Sequence, residues 1–257
     1  MKTPTDLAIS RQSALTHELT TVANNISNAS TDGYRGDHTL FQEFLEHTGE
    51  PGKRDKVSFV QDSGQYRDIR DGKLQQTGAP LDAAIQGNGY FIIGNPGEQL
   101  YSRLGSFRVD SSNRIVTAAG YPVLQANGTA ITLPQDVQPA QVTIAGDGTV
   151  WAQTYSNGVV DSGRDNPLGK LALVKFADDQ KLREAGSGFY ATDQTPQPVS
   201  ATEGTIVQGA LEGSNVEPVM EVTRMITIMR DYQAIQNMID QEDTRQRNAA
   251  DKIVQNV

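Results

Sequence analysis

The last 40 or so residues carry an apolar pattern that constrains the fold more than any other part of the sequence. Five apolar residues follow one another in alternating steps of three and four: Met225, Ile228, Tyr232, Ile235 and Ile239. This is the spacing of one face of an α-helix that packs on a partner helix. A helix starting near Val216 would run for about 40 residues, or about 60 Å at 1.5 Å per residue. A small β domain cannot cover that length, so we expect the helix to pack on other helices.

A second amphipathic helix is predicted near the N-terminus. Its apolar residues, spaced by four, three and four, are Leu15, Leu19, Val22 and Ile26. The other faces of this helix are polar. Two helices with such narrow stripes can pair as a parallel or an antiparallel bundle. The C-terminal helix has a further stripe beside its first one, formed by Val219, Val222, Ile226 and Met229. Its first half could therefore touch two neighbours.

Between the helices, from about Val57 to about Gly213, the helical period is missing and short β-like runs recur. These runs are VSFV, AAIQ, YFII, RIV, AITL, VTIA, LALVKF and FYAT. Asn-Gly and Asp-Gly pairs separate them, and such pairs supply the positive φ that two-residue hairpin turns need. The pairs are Asp71-Gly72, Asn88-Gly89, Asn127-Gly128, Asp147-Gly148 and Asn157-Gly158. The pattern indicates an antiparallel β domain and argues against a βαβ fold.

The sequence therefore predicts an α+β protein whose two ends pair as helices, with an antiparallel β-rich domain inserted between them. The expected boundaries are 1–33 and 214–257 for a helical coiled-coil domain, 34–56 for a connector and 57–213 for the β-rich domain. The expected coiled-coil interface joins the two stripes: Leu15, Leu19, Val22, Ile26, Met225, Ile228, Tyr232, Ile235 and Ile239.

Composition argues against several kinds of function. The chain has 31 acidic and 22 basic residues and no Lys/Arg-rich run, whereas nucleic-acid binding needs a concentrated basic face. It has no Cys, which excludes disulfides, thiolate metal sites and thiol nucleophiles. Its first residues do not form a Sec signal peptide, and no stretch is apolar enough to span a bilayer, so we expect no direct membrane insertion.

A search for catalytic, metal-binding and cofactor-binding residues predicts none. The three His residues, His17, His38 and His47, form no ligand pair such as HExxH. The glycine-rich triplets Gly87-Asn88-Gly89 and Gly186-Ser187-Gly188 precede strand-like runs, whereas a phosphate-binding loop or a nucleophile elbow leads into a helix. We therefore expect a protein that is not an enzyme, with no cofactor and no metal.

The stretch from Val22 to Gly36, VANNISNASTDGYRG, concentrates short polar side chains directly after a helical pattern. A calcium-binding EF-hand loop would need acidic residues at alternate positions and a closing Glu, which this stretch lacks. Asn and Ser side chains bond the nearby backbone, so they end helices and build turns. We interpret the cluster as the end of the first helix, with Asp32-Gly33 reversing the chain.

The same stretch resembles the N-terminal signature of the flagellar basal-body rod and hook family: an amphipathic helix, Ala-Asn-Asn, an Asn three residues on, and Thr-x-Gly-aromatic-basic. Thr77 to Ile93, TGAPLDAAIQGNGYFII, and Gly209 to Gln233, GALEGSNVEPVMEVTRMITIMRDYQ, are similar to two further family motifs. The matches occur in the family's order, and the resemblance covers essentially the whole chain. The terminal matches define an expected assembly motif: Ala23, Asn24, Asn25, Asn28, Thr31, Gly33, Tyr34, Leu211, Glu212, Ser214, Asn215 and Val216.

The resemblance implies a structural subunit of the flagellar basal-body rod. Terminal helices in the family form an inner coiled-coil layer, the β middle forms an outer domain, and subunits assemble as a helical tube around an export channel and help to transmit torque. The implied partners are copies of the chain, other proximal and distal rod proteins and the type III export apparatus. The implied location is the periplasm-spanning rod, reached without a cleaved signal peptide. We also expect Asn24, Asn25 and Asn28 to contact backbone or a neighbouring subunit.

Two rod proteins of the family have room for such a β middle, one proximal and one distal. The segment between the Phe41–Phe44 connector and Lys73-Leu74 is compact, and it leads directly into Thr77. Both features resemble the proximal type. The distal rod protein is the alternative within the family. An alternative from another class is a β-rich cell-wall-binding module with a coiled-coil stalk, for which Trp151 and several Tyr residues are available.

Overall fold

The chain has a long helix near each end and antiparallel strands between them, so its fold class is α+β, as predicted. Helix α1 spans Pro4–Ser27 and helix α2 spans Pro218–Gln255, and two short 3-10 helices lie at Pro139–Gln141 and Asp179–Lys181. The computed structural model describes residues 4–47, 56–95, 98–135, 137–152, 154–156, 159–161, 167–186 and 188–255. Within these ranges no helix combines the length and the apolarity that crossing a bilayer requires.

The strands are short, apart from the first two. In chain order they are β1 (Asp37–His47), β2 (Lys56–Arg67), β3 (Leu74–Gln76), β4 (Ala83–Gly87), β5 (Tyr90–Asn95), β6 (Glu98–Ser102), β7 (Phe107–Val109), β8 (Ile115–Thr117), β9 (Val123–Leu124), β10 (Val142–Ile144), β11 (Thr149–Ala152), β12 (Thr154–Ser156), β13 (Val159–Asp161), β14 (Gly169–Lys170), β15 (Leu173–Lys175), β16 (Arg183–Glu184), β17 (Phe189–Ala191), β18 (Gln197–Pro198), β19 (Gly204–Gln208) and β20 (Ala210–Glu212).

The chain divides into two compact units, and the division differs from the expected boundaries. The helical unit contains α1, α2 and the hairpin of β1 and β2, whereas the β unit contains Asn28–Arg35 and Ile69–Val216. Part of the expected connector, residues 34–56, is therefore strand β1, which pairs with β2 from Asp37↔Arg67 to His47↔Lys56. The sequence pattern missed β1 because its pairing depends on β2, which follows later in the chain.

The hairpin packs on α1 through polar side chains within the helical unit. Thr39 is buried, and its hydroxyl lies 3.4 Å from the hydroxyl of Thr21. Gln65 of β2 donates from its side-chain amide to the same Thr21 hydroxyl at 2.8 Å. Arg11 of α1 lies over the ring of Phe41 at 5.9 Å. The two strands therefore belong to the same packed unit as the helix, and they are not a free linker.

In the described part of the β unit, the largest sheet has seven strands, in the order β16-β17-β6-β5-β15-β18, with β9 also paired to β5. A three-stranded sheet has the order β10-β11-β14, and strand pairs are formed by β4 with β19, β3 with β20, β7 with β8 and β12 with β13. Phe91, Ile93, Ile131 and Val150 lie fully buried in the main core cluster. Two early strands, β3 and β4, thus take their partners from the end of the unit.

Two of the predicted hairpin turns are confirmed. Asp147-Gly148 connects the paired strands β10 and β11, and Gly148 has a φ of 89°. Asn127-Gly128 lies in a turn where the Gly128 N–H donates to the Gln125 carbonyl at 2.9 Å, and Gly128 has a φ of 80°. Both glycines adopt the left-handed conformation that was predicted, but four residues separate β10 from β11, so that turn is longer than the predicted two-residue hairpin. Asn157-Gly158 lies outside the described residues.

Two other turn predictions are wrong, because the glycines serve close packing and irregular connections. Asn88-Gly89 joins β4 to β5, which pair with other strands and not with each other. Asp71-Gly72 lies where two backbone segments meet, since a Cβ on Gly72 would stand 1.8 Å from the Gly213 carbonyl oxygen. An Asp-Gly pair in the sequence does not show whether the glycine lies in a hairpin turn or in a close backbone contact. Both situations need a residue without a side chain.

Candidate assembly sites

The residues of the predicted coiled-coil interface meet in one apolar cluster between α1 and α2. Leu15 and Val22 are 1% exposed and Ile228 is 4% exposed. Partly buried members of the predicted set pack around these three: Leu19, Ile26, Met225, Tyr232 and Ile235. Ile239 is half-buried and lies outside the cluster. The cluster has few fully buried members, so the two helices form a narrow seam and not a broad core.

Polar contacts beside the cluster give the two helices an antiparallel direction, which the sequence had left open. Near the start of α1, Gln12 donates to the Tyr232 hydroxyl at 2.7 Å and to the Gln236 side-chain oxygen at 3.0 Å. Further along, Glu18 accepts from Arg224 at 2.9 Å. Residues later in α1 therefore contact residues earlier in α2. Because α1 has 24 residues and α2 has 38, α2 is about 20 Å longer than α1. A stretch of α2 of that length therefore cannot pack on α1.

A second apolar stripe on α2 is exposed. Its members, Val219, Val222, Ile226 and Met229, are between 43% and 78% exposed. They follow one another in steps of three, four and three, so they share one face of the helix. Single exposed apolar residues are common on proteins, but a contiguous set is typical of an interaction surface.

Asn25 is the deeply buried member of the Asn cluster, with 1% of its surface exposed. Its amide nitrogen donates to the Asp37 carbonyl at 2.8 Å and to the Glu221 carboxylate at 3.3 Å. Its amide oxygen accepts from the Asp37 N–H at 3.0 Å. Asn25 thereby connects the end of α1 to the first residue of β1 and to the first turn of α2. Its neighbours Ala23 and Asn24 are exposed.

The chain leaves α1 through a set of turns that belong to the β unit. The Thr31 N–H donates to the Asn28 carbonyl at 3.0 Å, and the Thr31 hydroxyl donates to the Asn28 side chain at 3.2 Å. Gly33 has a φ of 63°, which a residue with a side chain rarely adopts. Its N–H donates to the Glu212 carbonyl at 2.6 Å. These turns bring the N-terminal motif against the C-terminal one.

The C-terminal motif contacts the N-terminal motif through its backbone. The Asn215 N–H donates to the Tyr34 carbonyl at 3.2 Å, and the Asn215 side chain donates to the Arg70 carbonyl at 3.0 Å. Tyr34 itself is buried. The Ser214 hydroxyl accepts from the Val216 N–H at 3.2 Å, just ahead of α2. Asn215 and Ser214 therefore fix the path by which the chain leaves the β unit.

Glu212 lies at the centre of these contacts and is buried. Its carboxylate accepts from the side chain of Arg103 at 2.6 Å and from the Gly72 N–H at 3.0 Å. Its half-buried neighbour Leu211 pairs with Gln75 of β3. Glu212 was predicted from the sequence, whereas Arg103, which is 1% exposed, was not. The available signal was a charged residue inside the run LYSRLGSF, between residues of β-strand type.

Burial raises the pKa of two carboxyl groups near the N-terminal motif, and at Asp32 the negative charge of Asp82 adds to the rise. Burial raises the pKa of Asp37, and the positive charges of Arg67 and His38 oppose that rise. Arg67 lies 3.4 Å from the Asp37 carboxylate. Arg35 is buried and donates to Asp71 at 2.9 Å. In the part of the chain that the structure describes, no group of three His, Asp or Glu side chains could hold a metal ion.

A cavity of about 410 Å³ lies on the β unit. Its apolar lining includes Ala172, Leu173 and Val199, and its polar lining includes Lys170 and Asp147, which form an ion pair at 3.4 Å. Its described lining contains no Ser, Thr, Tyr or His side chain. Trp151, the aromatic candidate for polysaccharide binding, is half-buried in β11 and does not line the cavity.

Family models match three parts of the chain. Residues 6–35 match the flagella basal body rod protein family, and residues 84–152 match the D1 domain of the flagellar hook protein FlgE/F/G. Residues 207–252 match the C-terminal region of the flagellar basal body rod FlgEFG proteins. The first and last matches contain the two motifs that meet around Glu212.

Whole-length relatives agree with these matches. The chain is 35% identical to the flagellar basal-body rod protein FlgF of Caulobacter vibrioides, over 96% of both chains. It is 31% identical to the FlgF protein of Mesorhizobium japonicum, over 88% of both chains. It is 30% identical to the flagellar basal-body rod protein FlgG of Bacillus subtilis, over 88% of this chain and 89% of the relative.

Proposed function

We propose that this chain, which belongs to the flagellar basal-body rod protein family, is a subunit of the proximal rod and assembles helically around the export channel. Membership of this family makes it a structural protein of the flagellar basal body and not an enzyme. The observation that carries the finer proposal is the exposed apolar stripe of α2. It lies beside the seam with α1, on a helix that is longer than α1 can cover.

The stripe supports assembly because water disfavours its apolar surface. Val222, Ile226 and Met229 each expose more than two-fifths of their surface in the single chain. A neighbouring subunit that covered this face would remove that surface from water, at roughly 25 cal/mol for each Å² buried. In this proposal the α1–α2 seam and the stripe together form a coiled-coil inner layer, and the β unit forms the outer domain. Contacts of the head-to-tail type that do not close on themselves build a filament.

The comparisons favour the FlgF type over the FlgG type. A FlgF relative matches at 35% identity over 96% of both chains, whereas a FlgG relative from Bacillus subtilis matches at 30% over 88% of this chain. The compact connection from β2 into β3 supports the same choice, since only residues 68–73 separate the two strands. The distal rod protein is therefore the less favoured alternative within the family.

Location and partners follow from this proposal. The subunit would lie in the part of the rod that crosses the periplasm, reach it through the type III export apparatus without a cleaved signal peptide, and contact copies of itself and other rod proteins. A filament joined through packed helices also offers a stiff path for torque. Similarity to rod proteins across almost the whole length of the chain supports the basal-body location and the contacts with other rod proteins.

The test is a charge placed on the stripe. Ile226→Asp should leave the folded monomer intact, because Ile226 is exposed, but should prevent rod completion and motility when it replaces the wild-type protein in its host. Thr227→Asp is the matched control, since Thr227 is exposed and lies about 100° further round the same helix. Normal motility with Ile226→Asp would rule out the stripe as an assembly surface. Equal loss with Thr227→Asp would show that the defect comes from the added charge and not from the stripe.

A further inference from the structure

The ion pair of Arg103 and Glu212 is completely enclosed in the β unit. The Arg103 side chain is 1% exposed and the Glu212 side chain is 1% exposed. Both carboxylate oxygens are used, since one accepts from Arg103 and the other accepts from the Gly72 N–H. A buried guanidinium that loses its carboxylate partner is strongly destabilised, because its charge can no longer be compensated. The β unit therefore depends on both members of the pair.

The other contacts of Arg103 come from the early part of the unit. Its two terminal nitrogens donate to the carbonyls of Gly87 and Gly89, at distances of 2.9 to 3.1 Å. One of them also donates to Asp71 at 3.2 Å, but Asp71 is shared with Arg35 and is half-exposed. Glu212 is the buried counter-charge, and it follows Arg103 by 109 residues. The early segment therefore prepares a site whose buried counter-charge comes from the late segment, while the early Asp71 is half-exposed and shared.

Strand pairing places the same requirement on the chain. Within the described residues, β4 pairs with β19 alone and β3 pairs with β20 alone. Ile85 of β4 is 1% exposed and faces Ile206 of β19 across the pair. The late segment also supplies the carbonyl of Glu212 to the N–H of Gly33, on the N-terminal motif. Until residues 204–212 are in place, β3, β4 and Gly33 lack these partners.

We propose that the β unit closes last at Glu212, so that its earlier segments stay incompletely packed until residues 204–212 dock. The pair of Arg103 and Glu212 then acts as a lock that holds the C-terminal motif on the earlier part of the β unit. A benefit of this late closure for export rests on the proposed function. A chain threaded through an export channel must stay unfolded until almost all of the β unit has passed. The folding order itself does not rest on it.

Refolding of the full-length wild-type chain tests the order directly. The chain is diluted from urea, and backbone amides are pulse-labelled by hydrogen exchange and read by mass spectrometry. Amides of β5, β6, β7 and β8 should become protected in an earlier phase. Amides of β3, β4, β19 and β20 should become protected later and together. Protection of β4 before residues 204–212 would overturn the proposal.

Glu212→Gln tests the lock, with Glu184→Gln as the control at an exposed position. If the pair forms after the folding transition state, Glu212→Gln should speed unfolding on the order of a hundredfold and leave the early refolding phase unchanged. Glu184→Gln should change neither rate. If Glu212→Gln slows the early refolding phase by the same factor by which it speeds unfolding, the pair forms early and the lock is wrong.

If Glu212→Gln does not fold, the hydrogen-exchange labelling of the wild-type chain decides the folding order. That labelling result would stand even if the protein proved to be absent from the rod.

Discussion

Gly33→Ala should destabilise the β unit more than its unusual backbone angle alone explains. Gly33 has a φ of 63°, and a Cβ there would stand 2.9 Å from the carbonyl carbon of Arg103 and 3.1 Å from the Leu104 nitrogen. These are backbone atoms, which cannot rotate away as the end of a side chain can. Gly78 is the matched control, because its φ is 72° and nothing lies within 4 Å of its Cβ position.

The expected magnitudes separate the two substitutions. A side chain in the left-handed region lowers the free energy of unfolding by about 1–2 kcal/mol. Replacing glycine also reduces the conformational freedom of the unfolded chain, which offsets about 0.4–1 kcal/mol of that loss. Gly78→Ala should therefore cost about 1 kcal/mol. Gly33→Ala adds the steric overlap, for which overpacking of about 1–3 kcal/mol is typical, giving about 3 kcal/mol in total. For a protein of this size, about 2–4 °C of melting temperature is lost for each kcal/mol.

The assay is thermal unfolding of the full-length variants followed by tryptophan fluorescence. The chain has a single Trp, Trp151, and it lies in β11 of the β unit, so the signal reports on that unit. Gly33→Ala should lower the melting temperature by about 6–12 °C and Gly78→Ala by about 2–4 °C. Equal shifts for the two variants would refute the close approach of Gly33 to Arg103, which is the source of the larger loss expected for Gly33→Ala.

Three further outcomes are expected. Asn25→Ala should destabilise the helical unit by about 1–3 kcal/mol, because it leaves the polar backbone of Asp37 without its partners, and faster hydrogen exchange at the end of α1 would reveal this. Ile235→Asp should prevent rod completion and motility while the Trp fluorescence transition of the β unit stays unchanged, and normal flagella would contradict its place in the seam. Lys175→Met should raise the pKa of Glu203 from about 2 towards its ordinary value of 4.5, because the Lys175 hydrogen bond is the main cause of the lowering. Since the folded pKa is the lower one, the stability from Glu203 is present above pH 4.5 and is lost as the pH falls towards 2, and carbon-detected NMR titration of the carboxyl group checks the shift.

Patterns within one element were readable from the sequence. The steps of three and four predicted both helices, and the residues they selected, from Leu15 to Ile235, meet in one cluster. The position of the turn at Asp147-Gly148 was equally readable, because a tight turn depends on the backbone angles of its own residues. The same kind of signal failed at Asp71-Gly72, where the reason for the glycine is a contact with Gly213, far along the chain.

By itself the sequence determined a helix near each end, an antiparallel β region between them and the family to which the chain belongs. It could do so because helical period, turn chemistry and family motifs are properties of neighbouring residues. Only the tertiary structure decided that the helices run antiparallel, that β1 and β2 pack with them, and that Arg103 neutralises Glu212 inside the β unit. These features join residues far apart in the chain, and no local pattern records which distant groups will share a buried site. The Glu212 of a recognisable motif acquired a physical role only when the fold placed Arg103 beside it.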